Sequence, residues 1–344
     1  MRVMTVVGAR PQLVKVATVS RALARGGQEE VLVHTGQHHD HLMSGAFFDD
    51  LGIPAPQYEL GISGGSHGEM TGRMLVALEQ VMVAERPDAV VVFGDTNSTL
   101  AGALAAAKLE IPLAHVEAGL RSWNRSMPEE TNRVVADHVS DLHLCPTRSA
   151  VDNLRREGIT STAHHVGDVM FDAAMHALAS DLDHDVLDRL GLVAHDYVVA
   201  TVHRAENTDH AEALERVFAH LRRVAETTTV LLPLHPRTRA ALARFGVEAG
   251  RIRVVDPLGY VAMLRLVAGA IEVHTDSGGL QKEAYFLRVP CVTLRHETEW
   301  VETVQCGWNR LWTATDWSPR REIDDYGDGH AAERVVDLVA ALTP

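Results

Sequence analysis

Asp95 closes the apolar run Ala89 to Phe93, and Glu117 closes the run Leu113 to Val116. If those runs are neighbouring strands, two carboxylates meet at one sheet end. Crowded together and partly buried, they would favour a proton on one of them, as general acid and base work near neutral pH requires. Each also has a plainer reading, helix capping for Asp95 and a salt bridge for Glu117. Arg10 follows the first apolar run and precedes Pro11, which suits the first turn of a helix whose free amides face the same end. Lys15 lies near that helical face one turn on, and lysine is scarce, with Lys108 and Lys282 the only others.

Late in the chain, Asp276-Ser277-Gly278-Gly279 follows the run Ile271 to His274 and opens a helical pattern, with Asp276 or Ser277 able to cap it. Gly278 and Gly279 let a ligand approach bare backbone, and unpaired amides at a helix start suit a diphosphate. His203-Arg204 follows the run Val198 to Thr201, and His235-Pro236 follows Val230 to Leu234. A histidine at a strand end can donate to a phosphate or protonate a leaving group. The cluster His38-His39-Asp40-His41 reads as a polar loop, because adjacent residues rarely converge on one metal without a spaced partner. Neither Gly-x-Gly-x-x-Gly nor a Walker lysine motif follows the first strand, so nicotinamide and ATP have no recognisable seat. No cofactor and no metal are expected.

The elements that must position these residues alternate from end to end. Strands are expected at Val3 to Val7, Val31 to His34, Ala89 to Phe93, Leu113 to Val116 and Leu142 to Cys145, with helices between them such as Gln12 to Ala24 and Thr99 to Leu109. The second half repeats the pattern with Val198 to Thr201, Val230 to Leu234, Ile252 to Val255 and Ile271 to His274, and helices beginning near His210, Pro236, Val261 and Gly278. Alternation of this kind means parallel sheets with crossover helices, which bind ligands at the strands' C-terminal ends. At 344 residues the chain exceeds the size at which one core keeps growing, and 46% apolar content can fill two. The expected fold class is α/β, with two doubly wound Rossmann-like domains facing a cleft. The division is expected near Val166-Gly167-Asp168, and the last helical stretch, Gly329 to Leu342, can return to either half.

Net charge of -14, from 32 basic against 46 acidic side chains, argues against nucleic acid as a partner. No apolar run approaches the roughly 20 residues that span a bilayer, and the N-terminal run is too short for a signal peptide. Cys145, Cys291 and Cys306 are odd in number and widely spaced, which fits reduced thiols in a cytoplasm. The clusters together describe a nucleotide-sugar cleft.

Over almost its whole length the chain resembles the non-hydrolysing UDP-N-acetylglucosamine 2-epimerases. The resemblance is carried by Gly8-Ala9-Arg10-Pro11, Thr35-Gly36-Gln37-His38, Gly94-Asp95-Thr96, His115-Val116-Glu117-Ala118-Gly119-Leu120-Arg121, Pro128-Glu129-Glu130-Thr131-Asn132-Arg133, His203-Arg204, Thr275 to Gln281 and Thr298-Glu299-Trp300. It implies a two-domain glycosyltransferase-B-like fold, which with the boundary read from the pattern puts residues 1–167 and about 327–344 in the first domain and 168–326 in the second. It further implies a C-terminal helix crossing back to the first domain, and usually a homodimer. The catalytic set falls on Asp95, Glu117, Glu129 and His203, supported by Lys15. Arg10 falls near the diphosphate, Ser277, Gly278 and Gly279 on the phosphate turn and Glu283 on the ribose, and His235 and Arg133 are further substrate-binding candidates. Glu129 and Glu130 on their own read as first-turn helix acids.

The resemblance implies reversible inversion at C2 of UDP-N-acetylglucosamine. That proton is not alpha to a carbonyl, so its loss must accompany departure of UDP from C1 to give a glycal, or follow a transient oxidation; the missing dinucleotide fingerprint favours elimination. Alternatives are a hydrolysing relative that releases ManNAc and UDP, a 2-epimerase of another UDP-2-acetamido sugar such as a 2,3-diacetamido uronate, a glycosyltransferase, and a noncatalytic UDP-sugar binder. Departures from the family pattern are Gln12 for a glutamate, Lys282 for an acidic residue, Asp40 for a glutamine, Gly65-Ser66 near an expected Arg-Gln, and a shortened stretch between Trp312 and Tyr326. Asp40 and Gly65-Ser66 sit where a second, activating UDP-sugar would bind.

Overall fold

The computed structural model describes residues 1–37 and 53–342, and the side chains of Arg10 and Pro11 are outside that description. His38, His39, Asp40 and His41 lie outside the described residues as well. By backbone contacts the chain divides into two compact units, Met1–Met175 with Asp324–Pro344, and His176–Ile323. The division falls within the helix Val169–Ala179.

The first unit holds a seven-stranded sheet, β1 (Arg2–Val7), β2 (Glu29–His34), β3 (Tyr58–Glu59), β4 (Ala89–Phe93), β5 (Leu113–Val116), β6 (Leu142–Cys145) and β7 (Ala163–His165). Its order is β3-β2-β1-β4-β5-β6-β7, and every pairing is parallel. Val3, Met4, Val6, Val7 and Val90 to Phe93 are buried, the near-continuous apolar runs, broken in β1 only by the buried Thr5, that a sheet covered on both faces demands. Strand order reverses between β1 and β4, and the crevice at such a switch point is where open α/β sheets take ligands. The residues just past these strands are Gly8 and Gly94.

The helix Asn97–Lys108 starts at a Thr96–Thr99 capping box and lays Ala101, Ala103, Ala105 and Ala106 into the core. Small residues there let the helix lie close to the sheet. The C-terminal helix Ala331–Ala340 packs on the helix Arg10–Arg25 of the same unit, and its Ala332 N–H donates to Asp172 Oδ2 at 2.8 Å.

The second unit holds β8 (Tyr197–Thr201), β9 (Thr229–Pro233), β10 (Arg253–Val255), β11 (Glu272–Thr275), β12 (Cys291–Thr293) and β13 (Asn309–Leu311) in the order β10-β9-β8-β11-β12-β13, again all parallel. Its switch point lies between β8 and β11, where Thr201 pairs with Thr275 and their hydroxyls meet at 2.6 Å. His203 and Asp276 follow directly. No helix among the described residues is long and apolar enough to cross a membrane.

Candidate active site

In the first unit β4 and β5 pair in register, Phe93 beside Val116, so Gly94 and Glu117 leave their strands side by side. Gly94 N–H donates to the Val116 carbonyl at 3.0 Å. Glu117 takes a left-handed backbone, φ 67°, a conformation that costs a non-glycine residue about 1–2 kcal/mol and clusters at functional turns. It aims the Glu117 carboxylate at the Lys15 ammonium, with which it forms an ion pair; both side chains are about nine-tenths buried. A Cβ on Gly94, whose own φ is 62°, would stand 3.1 Å from Glu117 Oε2 and 3.3 Å from Lys15 Nζ. Gly94 therefore meets two demands that only glycine satisfies together, a left-handed backbone and room for the pair.

The helix Pro128–Val139 supplies the other wall. Arg133 reaches back to pair with Asp95 through one guanidinium nitrogen and with Glu130 at 2.7 Å through the other. Asn132 Nδ2 donates to the Asp95 carbonyl at 2.9 Å and to Asn97 Oδ1 at 3.2 Å. Glu130 also accepts from Ser122 N at 3.0 Å, Ser122 Oγ at 2.9 Å and Trp123 N at 3.0 Å. Burial would push the Glu130 carboxyl up, but the Ser122 and Trp123 bonds and the Arg133 charge outweigh it and hold the group below its usual range. Glu129, one residue earlier, is half-buried and has no hydrogen-bond partner among the described residues.

Gln12 explains its own departure from glutamate. Its Oε1 accepts from Gly8 N at 2.9 Å and Ala9 N at 3.0 Å, while Nε2 donates to the Phe93 carbonyl at 2.7 Å, Thr96 Oγ1 at 3.0 Å and Thr99 Oγ1 at 3.1 Å. One fully buried amide thus joins the turn after β1 to the turn after β4, which a carboxylate, having no donor, cannot do.

In the second unit Asp276, fully buried at the end of β11, accepts from His203 N at 3.0 Å, Arg204 N at 2.9 Å and Asn207 Nδ2 at 3.0 Å. It thereby shapes the turn that presents His203. The His203 ring lies 5.6 Å from that of His235, which caps its own helix by accepting from Arg237 N at 3.2 Å. Burial lowers the His203 pKa, the Asp276 charge opposes this, and Arg204 and Arg237 add to the lowering, so the ring is neutral near pH 7. Ser277 caps the helix Gly278–Phe286. Glu299 lies against the first turn of that helix, since a Cβ on Gly278 would fall 2.5 Å from its Oε1. Arg295 holds Glu299 at 2.9 Å, with Arg204 at 3.9 Å, and although burial pushes the Glu299 carboxyl up, these cations bring it below its usual range. Lys282 is buried with its ammonium 3.9 Å over the Trp300 ring, and Glu283 is buried on the same helix.

The first unit brings together Lys15, Asp95, Glu117 and Arg133, and the second brings together His203, His235, Ser277, Gly278 and Gly279. Arg10 is seen as the first residue of its helix. Asp95 and Glu117 do not oppose each other as bare carboxylates; each is met by a cation from a helix. Reasoning from sequence missed Glu130 as more than a helix acid, and it missed Asn132, Asp137, Gln12, Arg295 and Glu299. The spacing Glu130 to Arg133, three apart on one helix face, was a signal available for the first of these.

A family model described as UDP-N-acetylglucosamine 2-epimerase matches residues 21–340. The UDP-2,3-diacetamido-2,3-dideoxy-D-glucuronate 2-epimerase of Pseudomonas aeruginosa is 48% identical, over 99% of this chain and 100% of its own. The UDP-N-acetylglucosamine 2-epimerase of Methanocaldococcus jannaschii is 39% identical, over 98% of this chain and 99% of its own. A crystal structure of the M. jannaschii enzyme in complex with UDP-GlcNAc and UDP has a TM-score of 0.89 at 38% identity, covering 99% of each chain.

Proposed function

We infer the function from one premise: this chain belongs to the UDP-N-acetylglucosamine 2-epimerase family. It inverts C2 of a UDP-activated 2-acetamido sugar, interconverting UDP-N-acetylglucosamine and UDP-N-acetylmannosamine. The observation that carries this reading is the pairing of Glu117 with Lys15 and of Asp95 with Arg133 at the switch point of the first sheet, beside the helix that bears Glu129. Such a set can take up and return a proton while its charge stays compensated.

In the forward direction a carboxylate among Asp95, Glu117 and Glu129 removes the C2 proton. The C1–O bond breaks with its electron pair on the diphosphate, leaving a C1–C2 double bond and UDP. Return of a proton to the opposite face of C2, with re-formation of the C1–O bond, completes the inversion. Arg10, neutral His203 as an N–H donor, and the amides after Ser277 stabilise the charge that grows on the departing diphosphate. Glu283 holds the ribose, and His235, Gly278, Gly279 and Arg133 complete the substrate contacts. We place the protein in the cytoplasm as a homodimer, which light scattering on the purified protein tests.

A second reading of the substrate is favoured by the higher identity with the P. aeruginosa relative, 48% against 39% for the M. jannaschii enzyme: a UDP-2,3-diacetamido uronate in place of UDP-GlcNAc. One experiment addresses both. Purified protein is incubated in heavy water with each UDP-sugar and no added cofactor, and the products are read by NMR. The elimination route places deuterium on C2 of the recovered sugar; inversion with no deuterium refutes it, release of free ManNAc marks the hydrolysing alternative, and turnover only with an added acceptor marks a glycosyltransferase.

A further inference from the structure

His115, fully buried on β5, has both ring nitrogens on oxygen: Nδ1 lies 2.7 Å from Asp137 Oδ1 and Nε2 lies 2.7 Å from the Gly94 carbonyl. A carbonyl can only accept, so Nε2 carries a proton. Asp137 Oδ2 already takes Arg121 Nη1 at 2.7 Å and Gly119 N at 3.2 Å. Burial alone would push the Asp137 carboxyl up, but its charged and hydrogen-bonding neighbours hold it below its usual range. The ring thus ties the Gly94 carbonyl to the Asp137 carboxyl through its two nitrogens.

Its neighbours are held in turn. Arg121 donates to Glu157 through Nε at 2.8 Å and Nη2 at 2.7 Å, and the other neighbour, His143, gives its Nε2 proton to the Asp137 carbonyl at 2.6 Å. Asp137 sits on the helix that carries Glu129, Glu130 and Arg133, whereas Gly94 begins the turn that carries Asp95 and lies against the Glu117–Lys15 pair. His115 is thus the strut between the two walls that hold the carboxylates, two residues before Glu117.

We propose that His115, bridging Asp137 and the Gly94 carbonyl, is a positioning residue that fixes the spacing of Asp95, Glu117 and Glu129 for proton transfer at C2. Its kinetic consequence rests on the function proposed above; its hydrogen bond to Gly94 does not. A misplacement near 1 Å costs on the order of 10²-fold in rate, so His115→Gln, whose single amide cannot span both oxygens, lowers kcat by about that factor. KM and UDP affinity stay within about twofold, because the diphosphate turn belongs to the other unit. Asp137→Asn keeps the side-chain shape and leaves His115 able to donate to Gly94, so it loses less than His115→Gln.

The test pairs these kinetics, with UDP titration calorimetry, and long-range ¹⁵N–¹H NMR of the labelled wild-type protein, His115 being assigned by its loss in His115→Gln. A proton on Nε2, the nitrogen that faces the Gly94 carbonyl, is the expected signature, and a ring protonated at Nδ1 alone overturns the proposal whatever the activity. A folded His115→Gln protein with wild-type kcat overturns it as well, as does a KM increase equal to the loss in kcat. If His115→Gln does not fold, the order of effects is read from Asp137→Asn, for which a loss of 10²-fold or more refutes the strut. A wild-type protein inert towards every UDP-sugar removes the proposed function and leaves the NMR result standing.

Discussion

Gly94→Ala separates two demands that the structure places on one residue. The φ of 62° charges an alanine about 1–2 kcal/mol, of which roughly 0.4–1 is offset by the stiffer unfolded chain. Gly27 has a similar φ, 73°, and open space around it, so Gly27→Ala isolates that backbone term, about 1 kcal/mol or a few degrees in Tm. At Gly94 the new methyl also meets Glu117 Oε2 at 3.1 Å and Lys15 Nζ at 3.3 Å. Its backbone cannot retreat, because His115 holds the carbonyl at 2.7 Å and Val116 holds the N–H at 3.0 Å. The ion pair must yield by a few tenths of an ångström. Scaled from a hundredfold loss per ångström, kcat falls roughly three- to tenfold with KM nearly unchanged. Thermal unfolding of both variants, with steady-state epimerisation, checks this. Equal Tm losses in the two variants together with wild-type kcat for Gly94→Ala would refute the claim that this glycine makes room for the pair.

Gln12→Glu sets a carboxylate oxygen against the Phe93 carbonyl, 2.7 Å from the present amide nitrogen, and is expected to cost about 1–3 kcal/mol at pH 7.5, partly recovered on acidification as the carboxyl gains a proton; pH-independent destabilisation in denaturant titrations would count against this reading. Gly278→Ala drives a methyl into Glu299, which Arg295 prevents from moving away, so UDP affinity by calorimetry is expected to fall at least tenfold, and an unchanged Kd would show that this turn tolerates a side chain. Burial lowers the pKa of His143, His203 and His220, the last to about 4. Unfolding lets these rings bind protons that they lack in the fold, so stability declines as pH drops below about 6.5, with His220 contributing on the order of 2 kcal/mol; Glu130, Asp137 and Glu299 add to the loss at lower pH, and Glu30 and Asp172, whose carboxyls are raised, partly offset it. A Tm that is flat or rises between pH 7 and 4.5 would contradict the sign.

The strands that flank both switch points could be read from the sequence, although their order in the sheets could not, because strands buried on two faces show as near-continuous apolar runs. Ala89 to Phe93 and Leu113 to Val116 were placed to the residue. Strands Tyr58–Glu59, Ala163–His165, Cys291–Thr293 and Asn309–Leu311 were not read, since two or three residues give no periodicity and their pairing is imposed by the neighbouring strand. The ends of Arg10–Arg25 and Ala331–Ala340 differ from the expected spans by one or two residues, as helix ends do.

What stayed hidden in the site follows from one property of charge. Sequence order shows where a carboxylate leaves a strand, but not which cation arrives from another element. Asp95 and Glu117 were read as rivals for one proton because their strands are neighbours; Arg133 and Lys15, 38 and 102 residues away, make each of them one half of an ion pair. The same blindness reduced Asp276 to a helix cap, although it gathers the His203 and Arg204 amides from across the sheet. Both units thus solve the same problem in the same way. A buried acid, Asp137 on a helix acting through His115 in one and Asp276 just past a strand in the other, spends hydrogen bonds on the backbone of the adjacent turn. Removing either acid therefore disturbs a side chain other than its own, which is why Asp276→Asn is expected to weaken the His203 turn.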